Sequence, residues 1–273
     1  MFKISSPHND KVRLVNQLQR KRKSREELQQ FVCEGQQEFG HALSHGFIPE
    51  MVFVCPDVDA GVIAFAKAAI EKQSNSDASH LLIEVTSQVY EKMAYRSGTE
   101  GLIAVLRSKS LSVSDLQLSP EPLILIAERP EKPGNLGALL RTVDAVGADA
   151  LIIADPATDI YNPNVIRSSV GTVFTVPVAT GSSAEVQDFL ASKQIPWYAA
   201  ALQNSTDYLD QDYSTATAIV VGTESTGLTK TWRSKAQATI RIPMNGAVDS
   251  LNVSVSAAVL LYECARQRRS PIN

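Results

Sequence analysis

The chain has 273 residues, of which 44% are hydrophobic, 20% charged and 6% aromatic, and this length predicts one large domain or two. The composition is typical of a folded globular protein and excludes a disordered chain, a collagen-like repeat and a disulfide scaffold. No apolar run approaches the roughly 20 residues that a membrane helix needs, and no apolar stretch follows the basic N-terminus. We therefore expect neither a membrane span nor a signal peptide, and a location in the cytoplasm or an organelle interior.

The three cysteines are odd in number and widely separated, and they form no C-x-x-C pair and no zinc-like spacing. We expect Cys33, Cys55 and Cys264 to be reduced, buried and unreactive. His41 and His45 are four residues apart and would share one face of a helix, but no third ligand of the H-E-x-x-H kind accompanies them. The sequence therefore predicts no metal site.

Charge is distributed unevenly along the chain. Residues 1–25 carry eight basic residues and one acidic residue, a net charge of +7, whereas the rest of the chain carries −10. A basic segment on an acidic protein predicts contact with a polyanion at one place, and the candidate nucleic-acid contacts are Arg20, Lys21, Arg22 and Lys23. The alternative is a helix face whose charges simply point into water.

The N-terminal part alternates helices and short strands. A basic helix is predicted over residues 11–31, with Val12, Val15 and Leu18 on one face. The elements predicted after it are a helix at 36–44, a strand at 50–55, a helix at 61–72 and strands at 81–85 and 101–106. This order predicts a small α/β domain over residues 1–107. The serine- and proline-rich residues 108–121 are predicted to be a linker.

Residues 122–273 change to continuous apolar runs that alternate with helical segments. The apolar runs are LILIAE, ALIIA, VFTVPVA, WYAAAL, AIVVG and TIRIPM, and the helical segments include ALLRTVDAV and AEVQDFLAS. Continuous apolar strands separated by helices are typical of a parallel sheet that is covered on both faces. The last predicted element is a long helix over residues 250–268. Patterning alone thus predicts an α/β, Rossmann-like domain.

Three loops carry most of the candidate chemistry, because ligands of open α/β sheets bind beyond the carboxyl ends of the strands. The first loop, residues 128–137, leads into a helix that is predicted to be capped by Asn135 and to hold Arg141 near its N-terminus. Backbone N–H groups and the helix dipole favour an anion there. The G-N-L-G run differs from the G-x-G-x-x-G fingerprint of a dinucleotide site.

The other two loops follow later strands. The second places Glu224 between Gly222 and Gly227, and these glycines permit a ligand to approach the backbone closely. Its alternative interpretation is an ordinary turn with an exposed glutamate. The third, residues 242–252, brings a glycine-containing turn and polar side chains to the start of the last helix. Its alternative interpretation is a serine or aspartate that only caps that helix.

Taken in order, these loops resemble the three motifs of the SpoU/TrmH family of RNA ribose 2′-O-methyltransferases, part of the SPOUT superfamily. The motifs read NLGALLRT at 135–142, GTESTGL at 222–228 and IPMNGAVDSLNVS at 242–254. The segment YNPNVIRSSVG at 161–171 is similar to the family's stretch between the first two motifs. The N-terminal part resembles the family's L30e-like substrate-binding domain through KRKSREELQQFVCEG and GTEGLIAVL. The resemblance covers nearly the whole chain.

The resemblance implies a SPOUT-type parallel sheet with a trefoil knot, S-adenosylmethionine bent into that knot, and a homodimer formed through the C-terminal domain. The implied cofactor contacts are Leu202, Gly222, Ile242, Met244 and Leu251. The residues implied around the methyl acceptor, and hence in catalysis, are Asn135, Arg141, Glu224, Ser250 and Asn252. Arg167 joins the basic N-terminal residues as an implied RNA contact.

The function implied is transfer of a methyl group to a ribose 2′-hydroxyl, with ribosomal RNA favoured because the N-terminal domain resembles those of ribosomal members. The alternatives are a transfer-RNA 2′-O-methyltransferase, a non-catalytic RNA-binding protein on the same scaffold, and a nicotinamide-dependent oxidoreductase. Arg141 matches the family's proposed base. Because arginine normally stays protonated, we expect Arg141 instead to clamp a phosphate and stabilise developing negative charge.

Overall fold

The computed structural model describes residues 2–74, 79–95, 100–223 and 226–268. The chain forms two compact units. The first comprises Met1–Lys109 together with Asp159–Thr175, and the second comprises Ser110–Thr158 and Val176–Asn273. The contacts therefore group a segment of the C-terminal half with the N-terminal residues, whereas the sequence predicts a single division near residues 108–121. The domain boundaries at 107 and 122 stay a prediction.

The first unit is built on a five-stranded sheet. Its strands are β1 (Phe2–Ile4), β2 (Gln30–Glu34), β3 (Pro49–Val54), β4 (Leu82–Val85) and β5 (Leu102–Arg107). Their order in the sheet is β1-β4-β3-β5-β2. β1, β4 and β3 are parallel, whereas β5 is antiparallel to both of its neighbours. The helices of this unit in residues 1–109 are α1 (Asp10–Arg20), α2 (Arg22–Leu28), α3 (Gln36–Ser44), α4 (Val62–Ser74) and α5 (Ser87–Met93). Asp159–Thr175, the second segment of this unit, contains α7 (Pro163–Ser169) and α8 (Thr172–Thr175).

The single helix predicted over residues 11–31 is wrong. Lys21 is extended (φ −117°, ψ 111°) and separates α1 from α2. The residues after α2 enter the sheet as β2, where Val32 pairs with Val105. Phe31, Val32 and Cys33 are consecutive and buried, which suits a strand covered on both faces better than a helix with one apolar stripe. The structure confirms the predicted α3.

One of the eight N-terminal basic residues is structural. The Arg25 side chain is only 4% exposed, and its Nε lies 2.5 Å from Oδ2 of Asp159, which is 13% exposed. Its guanidinium also donates to the backbone carbonyls of Leu18 and Gln19. Arg25 thereby fixes the start of the second segment to α1, and the exposed basic surface is smaller than the sequence predicts.

Aromatic side chains from both segments form part of the core of the first unit. The rings of Phe31 and Tyr161 stack with centroids 4.3 Å apart, and Phe47 and Phe174 meet edge to face. Burial raises the pKa of Tyr161 to about 12, so its hydroxyl stays protonated. The second segment therefore supplies core residues to this unit.

The second unit contains a seven-stranded sheet. Its strands are β6 (Leu123–Glu128), β7 (Ala150–Ala154), β8 (Val178–Gly181), β9 (Trp197–Ala200), β10 (Thr206–Asp207), β11 (Thr217–Val221) and β12 (Ala238–Arg241). Their order is β10-β12-β9-β11-β6-β7-β8, and every neighbouring pair is parallel. This confirms the predicted parallel sheet. The helices are α6 (Pro133–Val146), α9 (Ser183–Ser192), α10 (Lys230–Ser234) and α11 (Val253–Arg268).

Two segments differ from their predicted form. The apolar run VFTVPVA contains the end of α8 and the start of β8 rather than one strand, because a short apolar run does not distinguish helix from strand. The predicted linker at 108–121 contains a short 3₁₀ helix, Val113–Asp115. Val113, Leu116 and Leu118 pack against the core of the second unit.

All three cysteines are buried. Burial raises the pKa of Cys264 to about 12 and also raises that of Cys55, so the reactive thiolate form is disfavoured in both. Over the described ranges, no group of three His, Cys, Asp or Glu side chains is arranged to hold a metal ion. Nor do those ranges contain a helix with the length and apolar character needed to cross a membrane.

Candidate functional site

A cavity of about 530 Å³ lies at the carboxyl ends of β9, β11 and β12. These three strands are neighbours in the sheet, so the loops that follow them converge. The volume falls within the range of small-molecule sites, and the walls combine apolar side chains with a few polar groups. The structure brings together around this cavity all five residues predicted to hold the cofactor: Leu202, Gly222, Ile242, Met244 and Leu251.

The loop after β11 approaches its own backbone so closely that it requires glycine at its first position. A Cβ atom on Gly222 would lie 2.4 Å from the carbonyl carbon of Gly227 and 2.4 Å from the backbone nitrogen of Leu228. The Gly227 N–H donates to the carbonyl of Thr223 at 3.0 Å, and Gly227 itself has φ +66°. Thr223 and Gly227 are thus hydrogen-bonded to each other, and Gly222 lies at the cavity wall.

The start of α6 meets the start of α11. Asn252 Nδ2 donates to Asn135 Oδ1 at 3.2 Å, and Asn252 Oδ1 accepts from the backbone N–H of Ser254 at 2.9 Å. Asn252 therefore joins two helix starts that are 117 residues apart in sequence. Ser250 lines the cavity, and its hydroxyl donates to Asp249 Oδ1 at 3.1 Å.

The predicted capping role of Asn135 is wrong. α6 begins at Pro133, whose fixed φ suits the first helical position, and Lys132 occupies the N-cap position. Asn135 therefore lies inside the first turn, where its side chain is available to Asn252. The last helix likewise begins at Val253 rather than at residue 250.

A second cavity, of about 20 Å³, adjoins the first. Gly222, Thr223 and Val253 line both cavities, and Asn135 and Glu128 line the smaller one. This volume accommodates about one water molecule. The start of α6 thus lies beside the wall of the larger cavity.

Arg141 does not lie where the sequence predicts. It is the ninth of the fourteen residues of α6, it is exposed, and it lines neither cavity. At 1.5 Å per residue, it stands about 12 Å along the helix from Pro133. The helix starts earlier than expected, which moves Arg141 into its third turn. Glu224, the other predicted charged residue of the site, lies outside the described residues.

The predicted RNA contacts lie in the first unit. Arg20, Lys21, Arg22 and Lys23 are exposed at the α1–α2 junction. Two of them face acids, since Arg22 Nε lies 2.6 Å from Glu26 and Lys23 Nζ lies 3.6 Å from Glu27. Arg167 is exposed on α7 and lines a cavity of about 20 Å³. The positive charge of this surface is therefore partly offset by glutamates.

Sequence patterning missed Glu128. It is the last residue of β6 and is 3% exposed, and its Oε2 accepts from the backbone N–H of Thr229 at 2.9 Å. The available signal was the run LILIAE, in which a carboxylate ends an otherwise apolar strand.

Two family models match the chain. The model described as the SpoU rRNA Methylase family matches residues 122–262, and the model described as the MRM3-like substrate binding domain matches residues 9–104. The two matches together take in every predicted site residue.

Two curated bacterial enzymes are similar in sequence. The 23S rRNA (uridine(2479)-2′-O)-methyltransferase of Streptomyces viridochromogenes is 34% identical over 62% of this chain, and the alignment spans only 61% of that protein. The 23S rRNA (guanosine(2553)-2′-O)-methyltransferase RlmP of Bacillus subtilis is 28% identical over 96% of this chain and 98% of that protein.

Solved structures are similar over almost the whole chain. A crystal structure of an RNA 2′-O ribose methyltransferase has 38% identity and a TM-score of 0.80, and the match covers 98% of this chain and 99% of the other. The AdoMet-bound rRNA methyltransferase from Sinorhizobium meliloti has 26% identity and a TM-score of 0.86, with 98% of both chains covered.

Proposed function

Because the chain belongs to the SpoU rRNA Methylase family, we propose that it transfers a methyl group from S-adenosylmethionine to a ribose 2′-hydroxyl of ribosomal RNA. One observation carries this proposal. The five predicted cofactor residues line one cavity, and that cavity adjoins the start of α6 at Gly222 and Thr223. Two similar enzymes act on 23S rRNA, which favours ribosomal over transfer RNA.

Methyl transfer to a hydroxyl requires in-line approach, a fixed orientation and removal of a proton. When bound, S-adenosylmethionine supplies an electrophilic methyl group on a cationic sulfonium. The apolar wall formed by Ile242, Met244 and Leu251 excludes water from that group. Asn252 and Ser250 at the larger cavity, and Asn135 at the small cavity beside it, present hydrogen-bonding groups that orient the ribose hydroxyl.

The test in the cell is a map of ribose methylation across all RNA from a strain that lacks the gene, compared with its parent. We expect loss of a 2′-O-methyl group from ribosomal RNA. Loss confined to transfer RNA would contradict the ribosomal assignment, and an unchanged map would favour the non-catalytic alternative.

Arg141 is proposed to clamp a phosphate of the substrate. Arg141→Ala should lower the single-turnover rate by about 100-fold, because a charge-assisted phosphate contact that positions the substrate is lost. Arg141→Lys should keep part of the rate, since lysine retains the charge without the bidentate fork. S-adenosylmethionine affinity, measured by calorimetry, should change little in both variants, because Arg141 lines neither cavity.

The pH dependence of these rates distinguishes the clamp from a base. Lysine loses its proton at lower pH than arginine. A Lys variant that is highly active and has an acid-shifted rate profile would therefore contradict the clamp and favour the base.

The basic residues at the α1–α2 junction are proposed to contact RNA phosphates. Replacement of Arg20, Lys21, Arg22 and Lys23 by alanine should reduce the slope of log affinity against log salt by up to about 3, at roughly 0.7 per lost phosphate contact. Filter binding at several salt concentrations measures this slope. Matched alanine substitutions of Lys67 and Lys72, exposed lysines of α4, should leave it unchanged. If the salt dependence of RNA affinity were the same in the junction variant and in the Lys67/Lys72 variant, the junction would be only a solvated face.

We further infer that two copies pair through the second unit. Val255 and Tyr262 are seven residues apart on one face of α11, and they are 47% and 50% exposed. Apolar side chains that share an exposed helix face are available to pack against a second copy. Sedimentation should give about twice the 29.6 kDa of one chain, and a monomer would contradict the pairing. We also propose, from the family resemblance, that the second unit contains a trefoil knot and that the protein acts in the cytoplasm.

A further inference from the structure

The buried side chain of Glu128 lies between the start of α6 and the loop at 222–229, which lines the larger cavity. Glu128 ends β6, and its neighbour Ala127 pairs with Val221, the last residue of β11. Glu128 is therefore beside the point where the chain leaves β11 for the loop at 222–229. A polar side chain that is 3% exposed is costly to bury unless hydrogen bonds compensate for its lost hydration.

The hydrogen bond of Glu128 ties down the far end of that loop. The loop leaves the sheet at Gly222 and ends at Thr229, the N-cap residue of α10. Glu128 Oε2 accepts from the Thr229 N–H at 2.9 Å. The entrance of the loop is held by the β6–β11 ladder and its exit by Glu128, so both ends are fixed to β6. Between these ends, Thr226 and Gly227 line the larger cavity.

Glu128 also lies beside the start of α6. It lines the small cavity together with Lys132 and Asn135, which belong to the N-terminal end of that helix. A hydrogen-bond acceptor suits this position, because the first N–H groups of a helix have no partners within the helix. One side chain thus contacts the loop at 222–229 and adjoins the helix that presents Asn135.

We propose that Glu128 is a positioning residue that sets the described part of the loop, residues 222–223 and 226–229, against the start of α6, and so holds the cofactor cavity in register with the methyl acceptor. This role rests on the proposed methyltransferase function. Glu128 acts through the Thr229 N–H and not on the reacting atoms. This role requires an acceptor oxygen that reaches the Thr229 N–H. A glutamine side chain is long enough to provide that oxygen, whereas an aspartate side chain is too short.

The test compares Glu128→Gln with Glu128→Asp in the full chain. The Gln variant should bind S-adenosylmethionine within about threefold of wild type, because its amide oxygen still accepts the Thr229 N–H. The Asp variant should lose roughly tenfold or more in affinity, because the N–H is left unpaired. Its KM for S-adenosylmethionine should rise more than its kcat falls, with an unchanged pH profile. The matched control is Glu121→Asp, because Glu121 is exposed and precedes β6, whereas Glu128 is the last residue of that strand.

Hydrogen exchange of the Thr229 amide gives a readout that is independent of activity. This amide should be protected in wild type and the Gln variant and should exchange faster in the Asp variant. Equal affinity and equal Thr229 exchange in wild type and the Asp variant would overturn the positioning role. A Gln variant as slow in methyl transfer as the Asp variant would overturn it too, because the charge itself would then be required. Wild-type protein that binds no S-adenosylmethionine would instead overturn the proposed function.

Discussion

Replacing Gly222 by alanine should reduce S-adenosylmethionine affinity more than any other single change in the candidate site. The added Cβ would lie 2.4 Å from backbone atoms of Gly227 and Leu228, which cannot move aside as a flexible side chain can. Overpacking of this kind costs about 3 kcal/mol, which corresponds to roughly 100-fold in affinity if the loop must shift to bind. Calorimetric titration of the full chain measures the effect.

The matched control is Gly134→Ala. Gly134 lies in the first turn of α6, and an added Cβ there would meet no atom within 4 Å. This variant should bind S-adenosylmethionine as wild type does. Equal binding by the Gly222 and Gly134 variants would contradict the placement of the cofactor against the loop at 222–229.

Arg25→Ala should destabilise the first unit strongly. The substitution leaves Asp159 without its ion-pair partner at a site that is 13% exposed, and it removes a donor from the carbonyls of Leu18 and Gln19. Removal of one partner of a buried ion pair costs about 3–5 kcal/mol in unfolding free energy. Urea unfolding of the full chain, followed by far-ultraviolet circular dichroism, should show an earlier transition.

Arg22→Ala is the control for this prediction. Arg22 forms an ion pair with Glu26 in which the side chains are 45% and 56% exposed, and such pairs contribute about 0.5 kcal/mol. The two arginines are three positions apart in the same helix. If both variants unfolded at the same urea concentration, the Arg25–Asp159 pair would not be what fixes Asp159–Thr175 to the N-terminal part of the first unit.

The sequence predicts the sheet of the second unit well and its connections less well. LILIAE and ALIIA coincide with β6 and β7 because continuous apolar runs bounded by polar residues are a local signal. The grouping of Asp159–Thr175 with the first unit is not local. It depends on Arg25 meeting Asp159 and on Phe31 stacking against Tyr161, and these partners are more than 120 residues apart.

In the candidate site, too, the locally encoded features could be predicted and those that depend on distant contacts could not. The motif residues that line the cavity follow strands whose adjacency could be expected, so their convergence is predictable from the parallel sheet. The position of Arg141 could not be predicted in the same way, because it depends on where α6 begins. The helix begins at Pro133 and not near Asn135. The Asn135–Asn252 hydrogen bond and the Glu128–Thr229 clamp join distant parts of the chain, and no local pattern indicates such pairs.

The most direct measurement of the central claim is the identity of the methylated nucleoside. The full chain should be incubated with ribosomal RNA and S-adenosylmethionine that carries a labelled methyl group, and the RNA then digested to nucleosides and separated. We predict that the label appears in a 2′-O-methylnucleoside and that Gly222→Ala strongly reduces it at S-adenosylmethionine concentrations that saturate only the wild type. Label on a base, or no transfer by wild-type protein that binds both substrates, would contradict the account.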